Sequence, residues 1–208
     1  RDRVIAVVDG AGDRHVVETR KAPRGRRVET IREVVEGSGQ VQEHVGSRTF
    51  SFPATAFWQA HSQAPAAYTQ LVTEWLGQRE YQERTAWDLY GGVGLFVPAL
   101  AAAVQGKVIS VDYSPAATAA EQPCLADCDV ELKSAKVEQV AAQLPKPGAV
   151  VLDPPRTGAG KDVIRSVAAA APQAVVHVGC DPATFARDLH YWDEHGYGIE
   201  KMALINAF

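Results

Sequence analysis

The sequence has few cysteines and no long apolar run, and each shortage excludes a class of protein. Its three cysteines are an odd number in a chain of 208 residues, which argues against a disulfide framework. Apolar runs such as Val97–Val104 are far shorter than the roughly 18 residues that a membrane-spanning helix needs. A secretory signal pattern is also missing. We therefore expect a cytoplasmic protein that does not span a membrane.

Metal-ligand patterns are equally scarce. Cys124 and Cys128 are separated by three residues and have no histidine nearby, so they do not form a zinc-binding motif. The hydrophobic content of 46% is too high for a disordered chain, and it is typical of a globular protein with a substantial core. At about 150 residues per domain, the length corresponds to one domain or one domain plus a fragment.

The net charge of −4 is unevenly distributed along the chain. Residues 1–32 hold nine Lys or Arg and five Asp or Glu, which gives +4, whereas residues 33–208 carry −8. Five of the cations fall within the eight residues of Arg20–Arg27. Such a basic arm is suited to neutralising RNA phosphates, and a solvated loop is the alternative. The chain begins at Arg1 inside a strand pattern and stops at Phe208 after an apolar run, so we expect it to be truncated at both ends.

The pattern of apolar residues divides the chain in two. Residues 1–52 alternate short strand patterns with glycine turns, which predicts a small β-rich lobe. Residues 53–208 begin with a helix ending near Leu76 and then alternate strand and helix patterns. The predicted strands are 85–88, 107–112, 129–133, 149–153, 174–179 and 199–205, and the predicted helices are 95–103, 115–125, 136–144, 161–170 and 183–194. This alternation predicts an α/β fold with a doubly wound, mostly parallel sheet.

In such a sheet, ligands bind at the carboxyl ends of the strands. The first strand of the α/β part runs into the glycine-rich segment Asp88–Gly94, where the backbone can approach a ligand closely. Val97 stands where a dinucleotide-binding loop has its third glycine, which disfavours NAD. The next strand ends at Asp112, where a carboxylate can accept hydrogen bonds from both ribose hydroxyls.

Two later strand ends carry further candidate residues. The segment Asp153–Gly160 contains two prolines that fix the directions of the Asp153 carboxylate and the Arg156 guanidinium. Cys180 ends the next strand immediately before a helix whose first residue is Pro182. A helix N-terminus stabilises a thiolate, so this position suits a nucleophile, although most single cysteines are buried and inert.

Four ordered motifs together resemble the S-adenosylmethionine-dependent RNA uracil-5-methyltransferases, which make 5-methyluridine in tRNA and rRNA. The resemblance spans roughly residues 50–208, and the motifs are Phe57–Gln59, Asp88–Gly94, Asp153–Gly158 and Gly179–Asp188. It implies a Rossmann-like class I methyltransferase domain, with residues 1–52 similar to the family's RNA-contacting central domain. S-adenosyl-L-methionine is then the cofactor, tRNA or rRNA is the partner, and no metal is implied for this chain.

The resemblance also implies roles for individual residues. Cys180 is the catalytic nucleophile, which adds to carbon 6 of uracil so that carbon 5 can take the methyl group. Arg156 and Asp181 contact the substrate. The cofactor-binding residues are Gln59, Tyr90, Gly92, Gly94, Asp112 and Asp153.

The chain departs from the family pattern at several positions. Gly91 stands where the family has cysteine, Asp181 where it has asparagine, and Ala135-Lys136 where it has Gly-Asp, whose acid helps to hold adenine. The family's proton-abstracting glutamate falls beyond Phe208. Two alternatives therefore stay open: a catalytically degenerate RNA-binding relative, and a small-molecule methyltransferase.

Overall fold

The computed structural model describes residues 3–24 and 27–206. Its strands are β1 (Arg3–Val8), β2 (Arg14–Arg24), β3 (Arg27–Glu36), β4 (Gln40–Val45), β5 (Arg48–Pro53), β6 (Thr85–Leu89), β7 (Lys107–Val111), β8 (Val130–Lys133), β9 (Ala149–Leu152) and β10 (Ala174–His177). Its helices are α1 (Ala64–Leu76), α2 (Val97–Val104), α3 (Val137–Val140), α4 (Lys161–Ala169) and α5 (Pro182–Glu194).

The centre of the molecule is a five-stranded sheet with the order β10-β9-β6-β7-β8, in which all neighbouring strands are parallel. Alternate residues of its strands point to opposite faces and enter two separate cores. Ala86 and Val151 pack on the side of α1 and α2, whereas Trp87 and Val150 pack on the side of α4 and α5. The predicted doubly wound α/β fold is therefore confirmed.

The N-terminal strands form an antiparallel lobe. β1, β2 and β3 make one sheet, and β4 and β5 make a separate hairpin. The predicted turns at residues 10–13 and 37–39 lie between the strands, and Gly12 has a φ of +88° that favours glycine. Phe50 and Phe52 of β5 are buried in the same core as α1 and α2, so the lobe packs directly against the α/β part.

Two predicted elements differ in the structure. The predicted helix 115–125 is replaced by two short 3-10 turns, Ala119–Glu121 and Pro123–Leu125. Pro123 has no backbone N–H, so it cannot continue a helix through this segment. The predicted strand 199–205 is absent from the described residues 195–206, although β10 ends the sheet beside them. Leu204 is 97% exposed, and this segment pairs with no strand among the described residues.

Candidate active site

The loops that follow β6, β7, β9 and β10 meet at one edge of the sheet, because the carboxyl ends of parallel strands lie together. We call residues 90–94 the glycine loop and residues 153–160 the acid–proline loop. All of the residues predicted for cofactor, substrate or catalysis lie on these loops, at Asp112, at Cys180–Asp181 or on the segment before α1. Candidate residues from five separate parts of the chain therefore lie along the same edge of the sheet.

The glycine loop has an unusual backbone and is tied to the end of β7. Tyr90, Gly92 and Gly94 have φ values of +62°, +54° and +88°. One oxygen of Asp112 accepts a hydrogen bond from the Gly92 amide at 2.9 Å, and the other accepts one from the Ser114 amide at 2.6 Å. A carboxylate has about four acceptor positions, so Asp112 keeps capacity for a ligand hydroxyl.

The two glycines differ in what surrounds them. A Cβ atom on Gly94 would lie 2.9 Å from side-chain carbons of Ala119 and Leu125, so this glycine lets the loop pack on the protein. A Cβ atom on Gly92 would have nothing within 4 Å, so this glycine faces open space. Gly92 therefore leaves room for a ligand against the backbone. Burial raises the pKa of the Tyr90 hydroxyl, so this hydroxyl stays protonated.

A buried acid lies beneath the glycine loop. Asp88 of β6 is 1% exposed and accepts a hydrogen bond at 3.1 Å from the hydroxyl of Ser110 on β7. Burial raises the pKa of Asp88 to about 7, and the Ser110 hydrogen bond opposes this shift. A Cβ atom on Gly91 would collide with both the Ser110 hydroxyl and the Asp88 carboxyl. The pair thus occupies the volume that a side chain at position 91 would need.

Asp153 lies next to Gln59, the other residue predicted to bind the cofactor on this side of the site. The Gln59 amide donates a hydrogen bond to Asp153 Oδ2 at 3.1 Å, although 94 residues separate the two in sequence. Burial raises the pKa of Asp153 to about 7. Sequence reasoning missed Tyr68 on α1, whose pKa is raised by burial and then by the nearby charges of Asp153 and Cys180.

Cys180 is exposed at the carboxyl end of β10, and α5 begins two residues later at Pro182. Asp181 caps this helix, because its Oδ1 atom accepts hydrogen bonds from the Ala183 amide at 3.1 Å and the Thr184 amide at 3.0 Å. These bonds, the Thr184 amide first, hold the pKa of Asp181 below its usual value, and the positive charge of Arg156 adds to the effect. The candidate nucleophile therefore has a fixed backbone and an accessible thiol.

Helix α5 is fastened to the acid–proline loop through successive side chains. Thr184 donates to the carbonyl of Arg156 at 2.8 Å, and Arg187 donates to the carbonyl of Thr157 at 2.7 Å. Asp188, which is fully buried, accepts from the Ala159 amide at 2.6 Å and from the Gly160 amide at 3.3 Å. These contacts place Cys180 and Arg156 on one connected unit. The sequence alone did not indicate the Asp188 contacts.

The position of the family's adenine-binding acid is occupied differently here. Lys136 is the residue before α3, and its ammonium lies 5.7 Å from the centre of the exposed Tyr113 ring. This distance is within the range of a cation–π interaction. A lysine ammonium has donors only, so it cannot accept a hydrogen bond from an adenine amino group.

The described residues hold neither a metal-binding cluster nor a membrane-spanning helix. Across residues 3–24 and 27–206, no group of three or more His, Cys, Asp or Glu side chains is placed to hold a metal ion. The helices formed by these residues are all too short or too polar to cross a membrane. Residues 25 and 26 of the basic arm lie outside the described residues, as do the side chains of Arg24 and Arg27.

The fold and the loop arrangement define a Rossmann-like architecture of the kind found in S-adenosylmethionine-dependent methyltransferases. The tRNA (uracil-54, C5)-methyltransferase of Pyrococcus abyssi, solved with S-adenosyl-L-homocysteine, superposes with a TM-score of 0.64 at 25% identity. That match covers 82% of this chain and 42% of the other. TYW2 of M. jannaschii, solved with AdoMet, gives a TM-score of 0.57 at 15% identity over 79% of this chain and 77% of its own.

Sequence comparison identifies more similar proteins. The chain is 52% identical over 210 residues to an uncharacterized RNA methyltransferase of Corynebacterium glutamicum, which covers 99% of this chain and 51% of the relative. A protein of the same description from Thermotoga maritima is 31% identical over 83% of this chain and 39% of its own length. The chain thus spans about half the length, or less, of these curated relatives. No protein-family model matches it.

Proposed function

We propose that this chain is the methyltransferase part of an RNA methyltransferase that transfers the methyl group of S-adenosyl-L-methionine to carbon 5 of a uridine in tRNA or rRNA. One observation carries the proposal: an exposed cysteine at a helix N-terminus lies on the same sheet edge as the glycine loop and is linked to the acid–proline loop. The RNA methyltransferase names of the relatives and the uracil-5 specificity of the P. abyssi enzyme support it.

The described residues fit the cofactor. S-adenosyl-L-methionine supplies an electrophilic methyl group when it is bound. The open side of Gly92 lets the loop backbone approach it, while the Asp112 carboxylate has spare acceptor positions for the ribose. Gln59 and Asp153, already in contact with each other, present polar atoms to the same edge. Tyr90 and Gly94 set the backbone course of the loop.

Cys180 performs the covalent step. Its thiolate sulfur forms a bond to carbon 6 of the uracil, and the electrons of the carbon 5–carbon 6 double bond move toward the oxygen on carbon 4. Carbon 5 of this enolate is nucleophilic and would form a bond to the methyl carbon of the cofactor as the carbon–sulfur bond of the sulfonium breaks, which would release S-adenosyl-L-homocysteine. A base then removes the proton from carbon 5, for which the resemblance implies a glutamate. The returning electron pair restores the double bond and releases the Cys180 thiolate.

In the proposed reaction, Arg156 and Asp181 contact the substrate. Only the Oδ1 atom of Asp181 caps the helix, so its second oxygen is available to a uracil N–H. Arg156 is exposed on the acid–proline loop, and only its backbone carbonyl is held by Thr184. Its guanidinium is therefore available to a uracil oxygen or a phosphate. The target base must be unstacked to reach Cys180, which favours a loop uridine over a duplex.

A covalent-trapping experiment tests the proposal. RNA containing 5-fluorouridine is incubated with the protein and S-adenosyl-L-methionine, and a shifted band is sought on a denaturing gel. Fluorine cannot leave as a proton, so the adduct accumulates. We expect a cofactor-dependent adduct that is lost in Cys180→Ala and kept in Cys124→Ala, which removes a thiol away from the site. An adduct that persists in Cys180→Ala contradicts the assigned nucleophile.

One observation favours a second candidate, a catalytically degenerate RNA-binding relative. Lys136 stands where the family's adenine-binding acid belongs and lies against Tyr113. Isothermal titration with S-adenosyl-L-methionine separates the two candidates. A dissociation constant in the micromolar range supports the methyltransferase, and one beyond the millimolar range supports the degenerate relative.

A further inference from the structure

The strands β2 and β3 form the longest hairpin of the described chain, and their register with β1 assigns each side chain to a face. Arg3, Thr19 and Arg32 are directly opposite one another across the three strands, so they share one face. Ile5 and Val17 form the neighbouring row on that face, and Lys21 and Thr30 form the row on the other side. Since side chains alternate along a strand, the residues between them belong to the second face.

The first face changes character along its length. At its root, Val17 is 3% exposed and belongs to the hydrophobic core that the lobe shares with α1 and α2. Farther along, the charged side chains Arg3, Lys21 and Arg32 are all exposed. Over residues 3–24 and 27–36, none of these three cations forms an ion pair, and no carboxylate lies on the face in their rows. We call these rows the carboxylate-free face.

The second face of the same sheet is different. It carries Glu18 and Glu33, which are directly opposite each other, and Arg20 lies two residues along from Glu18. At its root, Arg14 forms an ion pair with Glu36 at 3.3 Å. Cations and carboxylates are therefore mixed there, and their charges offset one another. Arg20 and Lys21, the first two cations of the basic arm, thus lie on opposite faces of the hairpin.

We propose that the carboxylate-free face binds the phosphate backbone of the RNA substrate. The inference rests on the proposed function and adds a second contact surface to it. Unpaired, exposed cations on a face without carboxylates attract a polyanion, whereas the mixed face does not. Thr30 is exposed opposite Lys21 and supplies a hydroxyl group that can donate to a phosphate oxygen.

Two charge-matched double variants test the assignment. Lys21→Gln/Arg32→Gln removes two cations from the carboxylate-free face, and Arg14→Gln/Arg20→Gln removes two from the mixed face. Binding of fluorescein-labelled tRNA is measured by anisotropy between 50 and 200 mM salt. Each lost phosphate contact lowers the slope of log affinity against log salt by roughly 0.7 for single-stranded RNA. We expect the first variant to lose roughly 1.4 of the slope and roughly tenfold in affinity near 0.15 M salt.

The control variant should keep the wild-type slope. Equal losses in both variants would show that net charge rather than the face is responsible, and wild-type binding by Lys21→Gln/Arg32→Gln would overturn the proposal directly. Vesicles containing phosphatidylserine form a further arm. If the same variant loses vesicle binding but keeps RNA binding, the face belongs to a membrane contact and the proposal fails.

The trapping experiment separates this inference from the proposed function. If the wild-type protein binds tRNA through the carboxylate-free face but forms no 5-fluorouridine adduct, the result contradicts the methyltransferase assignment. The assignment of this face to RNA binding then still stands. If the wild-type protein forms the adduct and Lys21→Gln/Arg32→Gln keeps the wild-type salt slope, the result contradicts RNA binding by the carboxylate-free face. The proposed methyltransferase function then still stands.

Discussion

Replacing Gly91 with alanine should destabilise the protein through a collision that the structure locates. Gly91 is not among the glycines with a positive φ, so its backbone tolerates an ordinary residue. The added Cβ atom, however, would overlap the Ser110 hydroxyl and the Asp88 carboxyl and would lie 2.8 Å from Asp88 Cγ. This position is therefore restricted by volume and not by backbone conformation.

The size of the effect follows from two contributions. Overpacking of a buried site costs about 1–3 kcal/mol. Displacing Ser110 also breaks its 3.1 Å hydrogen bond to Asp88 and leaves a buried polar group unpaired, which costs about 1–3 kcal/mol more. The reduced freedom of the unfolded chain offsets about 0.4–1 kcal/mol of this. We expect Gly91→Ala to lower the free energy of unfolding by about 2–4 kcal/mol.

A double-mutant cycle identifies the cause. Ser110→Ala removes the hydroxyl that the new Cβ meets, so Gly91→Ala should cost less in that background, with a coupling of about 1–2 kcal/mol. Urea unfolding followed by tryptophan fluorescence gives each free energy, because Trp87 on β6 is buried. Gly92→Ala is the control. It meets no atom within 4 Å, and its left-handed backbone costs about 1 kcal/mol without coupling to Ser110.

Additive effects of Gly91→Ala and Ser110→Ala, within about 0.3 kcal/mol, would refute the steric reasoning. A coupling confined to position 91 would support it. The same result would explain how this chain accommodates glycine where the resembling family has cysteine: the Ser110 hydroxyl and the Asp88 carboxyl fill the space.

Three further predictions follow from buried polar groups. Burial raises the folded pKa of Asp88 to about 7, so its contribution to stability is complete below about pH 4 and is lost as pH rises through 7. Relative to Asp88→Asn, wild type should lose about 2 kcal/mol between pH 5 and 7 in urea unfolding. Asp188→Asn leaves the Ala159 or Gly160 amide facing an N–H donor, so it should lower the free energy of unfolding by about 2–3 kcal/mol. It should also slow 5-fluorouridine adduct formation, because Asp188 joins α5 to the acid–proline loop. Adduct formation at the wild-type rate would contradict this structural connection. Gln122→Ala removes both hydrogen bonds to the Ser51 backbone and should cost about 2–4 kcal/mol, whereas the exposed Gln139→Ala should change little; equal unfolding curves would contradict it.

The parts of the fold that depend on local pattern could be predicted from the sequence. Buried strands such as β6 and β9 are short apolar runs between helical patterns, so their existence and parallel pairing follow from the alternation. The predicted helix 115–125 was wrong. The alanine content of this segment favours a helix, but Pro123 and the hydrogen bonds between Gln122 and Ser51 fix a different backbone conformation. Such a bond between distant residues leaves no periodic signal.

The candidate site divides in the same way. Residues at strand ends, such as Asp112, Asp153 and Cys180, could be selected because the topology of a parallel sheet brings strand ends together. Tyr68 and Asp188 were not selected, since nothing local distinguishes a helical tyrosine or aspartate that faces a loop. Their positions depend on how α1 and α5 pack, which the sequence pattern does not specify.

The two hydrogen bonds between Gln122 and the Ser51 backbone also bear on the order in which the protein folds. They join residues 71 positions apart, whereas the β6–β7 pairing joins residues such as Asp88 and Ser110, only 22 apart. The entropy lost on closing a loop grows with its length, so the shorter pairing forms first. We expect β6 and β7 to pair before β5 docks on Gln122, so the Ser51 amide should become protected from hydrogen exchange later than the amides of the β6–β7 pairing during refolding.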